Sequence, residues 1–226
     1  LNDFLRPGEP DPPAYPLTIA YAPVSGLVQL RHHVNPELMF MDYWYYSGTN
    51  EAMTEHLREV VMKTNGIHAV LGAGDTVVDI GCNDATLLGF YSDSIHTVCY
   101  DPAKTVTPQC DTFINDFFGE REYAHPKAKI VTSIAMFYDV DNPVAFATKV
   151  KDMLTDDGVW VCEMHYLPRM LERNEVDAIC HEHLAYYSLF SFNQVIRQAG
   201  LTIVDVELNE VNGGSMLVWI KKNHPH

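Results

Sequence analysis

The sequence predicts an α/β fold, a Rossmann-like and mostly parallel sheet with one antiparallel strand. Three features carry that expectation. The run Val77-Val78-Asp79-Ile80 leads into Gly81, a short polar turn and Leu87-Leu88, which is the pattern of a strand, a turn and a helix. Strand-length apolar runs then alternate with helix-period segments, as parallel βαβ units require. The chain closes on two strand-like runs, Leu201 to Leu208 and Ser215 to Lys222, joined through Asn212-Gly213-Gly214. A hairpin of that kind makes the last strand antiparallel.

Taken in order, residues 1–35 form a turn-rich lead-in, marked by Pro7-Gly8, Pro10, Pro12-Pro13 and Pro16, with a short strand pair between Leu17 and Leu30 turning near Ser25-Gly26. The aromatic run Tyr43-Trp44-Tyr45-Tyr46, followed by Ser47-Gly48-Thr49, reads equally as a buried hinge or as a ligand lid. Asn50 is placed to cap a helix reaching Thr64, with Gly66 as its stop and Met53, Leu57, Val60 and Val61 as its apolar face. Gly72-Ala73-Gly74 precedes the strand Thr76–Ile80, so it is an entry turn and no dinucleotide fingerprint. Thr97–Tyr100, an edge segment at 113–118, Ile130–Met136 and Gly158–Met164 supply further strands. Helices are expected over Val144–Leu154, ending in the turn Asp156-Asp157-Gly158, and over Phe192–Ala199, stopped by Gly200. The segmentation is an N-terminal extension over 1–49, a main domain over 50–222 and a tail at 223–226.

A formal net charge of −15 argues against nucleic acid as the main partner, because phosphate contacts need clustered lysine and arginine. No apolar run approaches the roughly 20 residues of a membrane helix, and the start shows no signal-peptide pattern, so the chain reads as soluble and cytoplasmic. The five cysteines, Cys82, Cys99, Cys110, Cys162 and Cys180, lack a C-x-x-C pair and read as reduced core thiols. The chain begins at Leu1, which suggests a trimmed start.

The turn after Ile80 is where open α/β sheets bind nucleotide-like ligands. Gly81 permits close backbone approach, and Asn83 and Asp84 can grip a polar tail. Acidic residues without a nearby lysine or arginine disfavour a phosphate and suit a zwitterion bearing its own ammonium, such as S-adenosylmethionine (SAM). Asp101, at the end of the next strand, is placed for ribose hydroxyls. Phe113-Ile114-Asn115-Asp116-Phe117-Phe118 offers a polar pair flanked by aromatics, suited to the edge and face of an adenine, and reads equally as an edge segment with core phenylalanines. A second cluster, Cys180-His181-Glu182-His183 with Tyr186-Tyr187, follows the carboxyl end of a later strand and can accept a proton and steady an oxyanion. It lacks the H-E-x-x-H spacing of a zinc site, so no metal is expected.

Together, Y-x-Y-x-S-G-T, D-I-G-C-N-D, N-D-F-F, T-S-I-A-M-F-Y-D, C-H-E-H-L-x-Y-Y-S-L and V-N-G-G-S resemble the sugar C-methyltransferase family, from about Phe4 to Trp219. The resemblance implies a class I SAM-dependent methyltransferase with a seven-stranded sheet, acting on deoxy-keto nucleotide sugars and releasing S-adenosylhomocysteine. It implies His183 as the base that removes a proton beside a ketone, Glu182 and Tyr45 at the acceptor, and His181 in support. Asp79, Gly81, Asn83, Asp101, Asp116, Phe117 and Ser133 would hold SAM. The departures are Cys180 where part of the family has tyrosine, Ala22 and Ser25 where it has zinc cysteines, and an end at His226 short of the family's further domain. Competing readings are an O-methyltransferase on a sugar or small metabolite, a non-catalytic SAM-binding module acting with a partner, and an NAD enzyme, which lacks its G-x-G-x-x-G. The oligomeric state is left open.

Overall fold

In the computed structural model residues 7–11 and 13–223 are described; Phe4, Pro12 and the tail from 224 lie outside them. The main sheet contains seven strands, β3 (Thr76–Ile80), β4 (His96–Tyr100), β5 (Thr112–Ile114), β6 (Ala128–Ile134), β7 (Leu154–His165), β9 (Leu201–Asn209) and β10 (Ser215–Lys222), in the order β5-β4-β3-β6-β7-β10-β9. The pairings of β3 with β4 and β6, of β4 with β5 and of β6 with β7 are parallel. β10 runs antiparallel to β7 and to β9. The central strand β3 is buried along its whole length, which explains why Thr-Val-Val-Asp-Ile shows no polar alternation.

Side chains alternate across the sheet into two layers. Val78, Val131, Trp160 and Val218 face the layer of α3 (Pro143–Met153) and α5 (Leu189–Gln198), with Phe146 and Phe192 against them. Val77, Ile130, Val161 and Leu217 face α2 (Glu51–Lys63), which contributes Leu57, Val60 and Val61. Asn50 caps α2 as its sequence suggests, its side chain accepting from the Met53 N–H. A smaller sheet joins β1 (Ile19–Ala22), β2 (Leu27–Leu30) and β8 (Ala185–Tyr186). Because β2 pairs with β8, the N-terminal strands pack directly on the segment that follows His183.

Several expectations fail. No α-helix follows β3; Leu88–Phe90 make a single 3-10 turn, and Gly89 inside it and Asp93 just after it both disfavour helix. The Asp156-Asp157-Gly158 turn lies inside β7, where a shift in register against β6 absorbs the extra residues. Cys99 and Cys110 are joined as a disulfide rather than left as reduced thiols: β5 lies beside β4, and Cys110, just ahead of β5, has its Cα 6.8 Å from that of Cys99; Cys82, Cys162 and Cys180 remain free and buried. Two helices were not anticipated, α1 (Glu37–Phe40) and α4 (Leu167–Arg173). The second carried signals in plain view: Pro168 in its first turn and Asn174, left-handed at φ +57°, as its stop. No helix among the described residues is long and apolar enough to cross a membrane.

Candidate active site

The carboxyl ends of β3, β4, β6 and β7 open into a cleft of about 1590 Å³. Gly81 forms its floor at φ +73°, and a Cβ there would meet the Met136 side chain at 3.0 Å. Asn83, Ala85 and Ala135 also hold positive φ around the same rim, backbone strain of the kind that collects at functional sites. Gly81→Ala is expected to destabilise the fold by roughly 1–2 kcal/mol from the left-handed backbone alone, measurable by denaturant unfolding.

The aromatic run is clipped to this turn. The Asn83 side chain accepts from the Ser47 N–H at 2.9 Å and donates to the Tyr45 carbonyl at 2.7 Å. Asp84 accepts from the Gly48 N–H at 2.8 Å and, through its other oxygen, from the Thr86 N–H and hydroxyl. The polar groups expected to grip a ligand tail therefore hold residues 45–48 over the cleft. Tyr45 itself lines the cleft, which favours the lid over the buried hinge.

Two carboxylates sit on the floor. Asp101 is buried, with Oδ2 accepting from the Asn83 N–H at 2.8 Å and Oδ1 from the Ala103 N–H at 2.9 Å. Each oxygen keeps lone-pair capacity for a further donor. Burial pushes its pKa up, against those two hydrogen bonds. Asp79 accepts from the Thr132 hydroxyl at 2.5 Å, and burial pushes its carboxyl up to about 7, with the nearby Asp101 charge adding to the rise. Neither forms an ion pair with a lysine or arginine among the described residues, so both suit a cation or a diol. Asp116 and Phe117 line the same side, although one Asp116 oxygen accepts from the Phe117 N–H and the other pairs with Arg121.

At the opposite end His183 is fixed by a 2.7 Å bond from Nδ1 to the Ala178 carbonyl. A carbonyl can only accept, so Nδ1 carries the proton and Nε2 keeps an unshared pair. Burial lowers its pKa to about 4, so the ring is neutral at physiological pH. Its centroid lies 4.3 Å from that of Tyr138 and 5.3 Å from that of His165. Tyr43, Asp139 and His165 also line this end. Burial raises the Tyr43 hydroxyl to about 12, with Asp139 and Glu182 adding to the rise, and holds the Asp139 carboxyl well above the usual range.

The cleft thus gathers Tyr45, Asp79, Gly81, Asn83, Asp101, Asp116, Phe117 and His183. Ser133 does not join them: it is fully buried and accepts from the Trp160 indole N–H at 2.8 Å, because its strand parity turns it into the core. Glu182 and His181 do not line the cleft either; residues 180–182 are bent rather than extended, which parts His181 from His183 and leaves its Nε2 3.1 Å from the Tyr15 carbonyl. Tyr138, Asp139 and His165 are functional candidates that sequence reasoning passed over. The available signal was position, since all three follow the carboxyl ends of central strands.

Residues 50–206 match a family model described as a methyltransferase domain. The chain belongs to this methyltransferase domain family. C-methyltransferase NovU of Streptomyces niveus is 28% identical over 218 residues, an alignment covering 91% of this chain and 51% of NovU. The chain therefore spans about half the length of that relative. A solved complex between the Haloferax volcanii Trm112 methyltransferase activator and the putative methyltransferase contains a chain matching at TM-score 0.62 and 15% identity, over 78% of this chain and 95% of that one. Magnesium protoporphyrin IX methyltransferase from Synechocystis PCC 6803, solved with S-adenosylhomocysteine, matches at TM-score 0.56 and 10% identity, over 77% and 88%. The fold is that of a class I SAM-dependent methyltransferase.

Proposed function

We propose that the protein methylates a carbon of a keto sugar, nucleotide-linked as in the resembling family, using SAM and His183 as base. The observation that carries this reading is the His183 tautomer: Nδ1–H is committed to the Ala178 carbonyl, leaving Nε2 to accept a proton in the cleft that Gly81 and Asp101 floor. The C-methyltransferase name of NovU and the H-E-H-L and N-G-G-S motifs support carbon as the acceptor atom.

The chemistry of the site fits SAM. Asp79 and Asp101, at adjacent strand ends and without a cationic partner, would take the ammonium and the ribose diol, and Phe117 and Asp116 would border the adenine. When bound, SAM supplies an electrophilic methyl group. The protein's part is to hold the acceptor's C–H toward Nε2 and its carbonyl oxygen toward donors. Burial that keeps His183 neutral also weakens it as a base, so much of the barrier must be lowered by stabilising the enolate oxygen. Lys149 is the single lysine or arginine among the described lining residues, and carboxylates outnumber it severalfold. That balance of charge favours a neutral sugar ring over a diphosphate within the cleft.

Product analysis tests the reading: the NMR signal of the transferred methyl should be that of a methyl on carbon, and the acceptor should exchange the proton beside its ketone with deuterated water. A methyl on oxygen without exchange would establish the O-methyltransferase alternative, and SAM binding without turnover on any acceptor would establish a binding module. Asp101→Ala should weaken SAM about 10- to 100-fold, the value of a hydrogen-bonded pair to a charged group. Its thermal midpoint would then no longer rise with SAM or S-adenosylhomocysteine. An undiminished rise would remove Asp101 from the site.

A further inference from the structure

We infer that Tyr138 is a catalytic residue, its hydroxyl donating to the oxygen of the enolate that His183 generates, an assignment that rests on the proposed keto-sugar reaction. Tyr138 sits on the 3-10 turn Phe137–Asp139, directly beyond the carboxyl end of β6. It is only 7% exposed, yet it lines the cleft. Burial and neighbouring charges, and no hydrogen bond, act on its hydroxyl, which is not one of the polar atoms sealed from solvent without a partner. A buried phenol normally finds a partner, and a ligand in the cleft can supply one.

The ring is fixed on both sides. It stacks on His165 at 18° with centroids 5.5 Å apart, and it packs against His183 at 4.3 Å. Tyr43, Asp139 and Cys180 are close enough for their charges to act on its hydroxyl. That neighbourhood matters because Cys180 stands where part of the resembling family carries a phenol, and a buried thiol is a poor donor. Tyr43 and Tyr186 are other phenols nearby, but Tyr43 rides on the 43–46 run, Tyr186 does not line the cleft, and neither has a ring contact with His183. Tyr138 is anchored in the core beside the base.

The step balances on these groups. Nε2 of His183 takes the proton from the carbon, the C–H electron pair moves into the ring of the acceptor, and the carbonyl oxygen gains the charge. The Tyr138 O–H donates to that oxygen without giving up its proton, since burial holds its pKa well above the ordinary value. As the carbon bonds the methyl group, the sulfur–carbon pair returns to sulfur and the oxygen reverts to a carbonyl. The His183 proton then leaves to solvent.

The test is Tyr138→Phe in the full-length protein, which keeps the ring between the two histidines. Three quantities are compared with wild type: SAM affinity, turnover, and solvent-deuterium exchange into deoxy-keto nucleotide sugars with S-adenosylhomocysteine bound. Exchange and turnover should both fall about 10²-fold, the usual effect of deleting one oxyanion donor, while SAM affinity and the thermal midpoint hold. A wild-type exchange rate in the variant would overturn the assignment and leave the keto-sugar reading intact. Absence of exchange in wild type itself would overturn both.

Discussion

His183→Ala is expected to lower methyl transfer about 10³-fold, in the range of a positioned general base, while SAM binds as before. The alanine variant also strands the Ala178 carbonyl, which accepts from Nδ1 at 2.7 Å. His183→Asn separates the two effects, because its amide can still donate to Ala178 while offering nothing at the place of Nε2. Both variants should be equally inactive. Activity in His183→Asn would reduce His183 to a structural role. The pH behaviour follows from the same burial. The folded-state pKa of about 4 lies below the ordinary 6.5, so the native state resists protonating the ring. That contribution to stability is complete above pH 6.5 and is lost as pH falls toward 4 and below. The acid limb of the rate profile should correspondingly lie well below 6.5, and a limb near 6.5 would mean that another group titrates.

The frame of this site was readable from the sequence, and its acceptor end only in part. Thr76–Ile80, the Asn50 cap and the Asn212-Gly213-Gly214 hairpin are set by local chemistry: apolar periodicity, one side-chain cap, residues that accept positive φ. His183 was visible because it lies in a distinctive motif. Tyr138 and Asp139 lie in T-S-I-A-M-F-Y-D, a motif that carries the resemblance, but nothing in the local pattern gave them a role. Their role emerges only when β6 and the segment after α4 are brought side by side, placing Tyr138 against a histidine that lies far along the chain. Asn83 shows the opposite error. Its place in the motif was right, but its amide is used by the backbone of Tyr45 and Ser47, a partner that no local pattern announces.

Glu163→Ala is expected to destabilise the fold by several kcal/mol, about 1–3 for each polar group left unpaired. Glu163 lies in β7 at 2% exposure, where Oε2 meets His56 of α2 at 2.7 Å and Oε1 accepts from Asn209 at 2.5 Å. One side chain thus ties the sheet to α2 and to the end of β9. Truncation leaves two half-buried polar groups without their partner at once, each a loss of about 1–3 kcal/mol. At about 2–4 °C per kcal/mol for a domain of this size, the thermal midpoint should drop by roughly 10 °C. Burial alone would lower the His56 pKa, but the hydrogen bond and charge of Glu163 raise it overall. A raised pKa contributes stability that is complete below the ordinary value of 6.5 and is lost as pH rises through the folded-state value. The gap between wild type and variant should therefore narrow toward alkaline pH. Glu163→Gln, which keeps hydrogen-bonding capacity and removes the charge, should fall between them. The clamp also reaches the site: Asn209 begins the connection that carries Asn212 and Gly213 into the cleft wall. Near neutral pH, well below its own midpoint, Glu163→Ala should retain SAM affinity while losing acceptor affinity, and an unchanged acceptor KM would confine Glu163 to holding the fold.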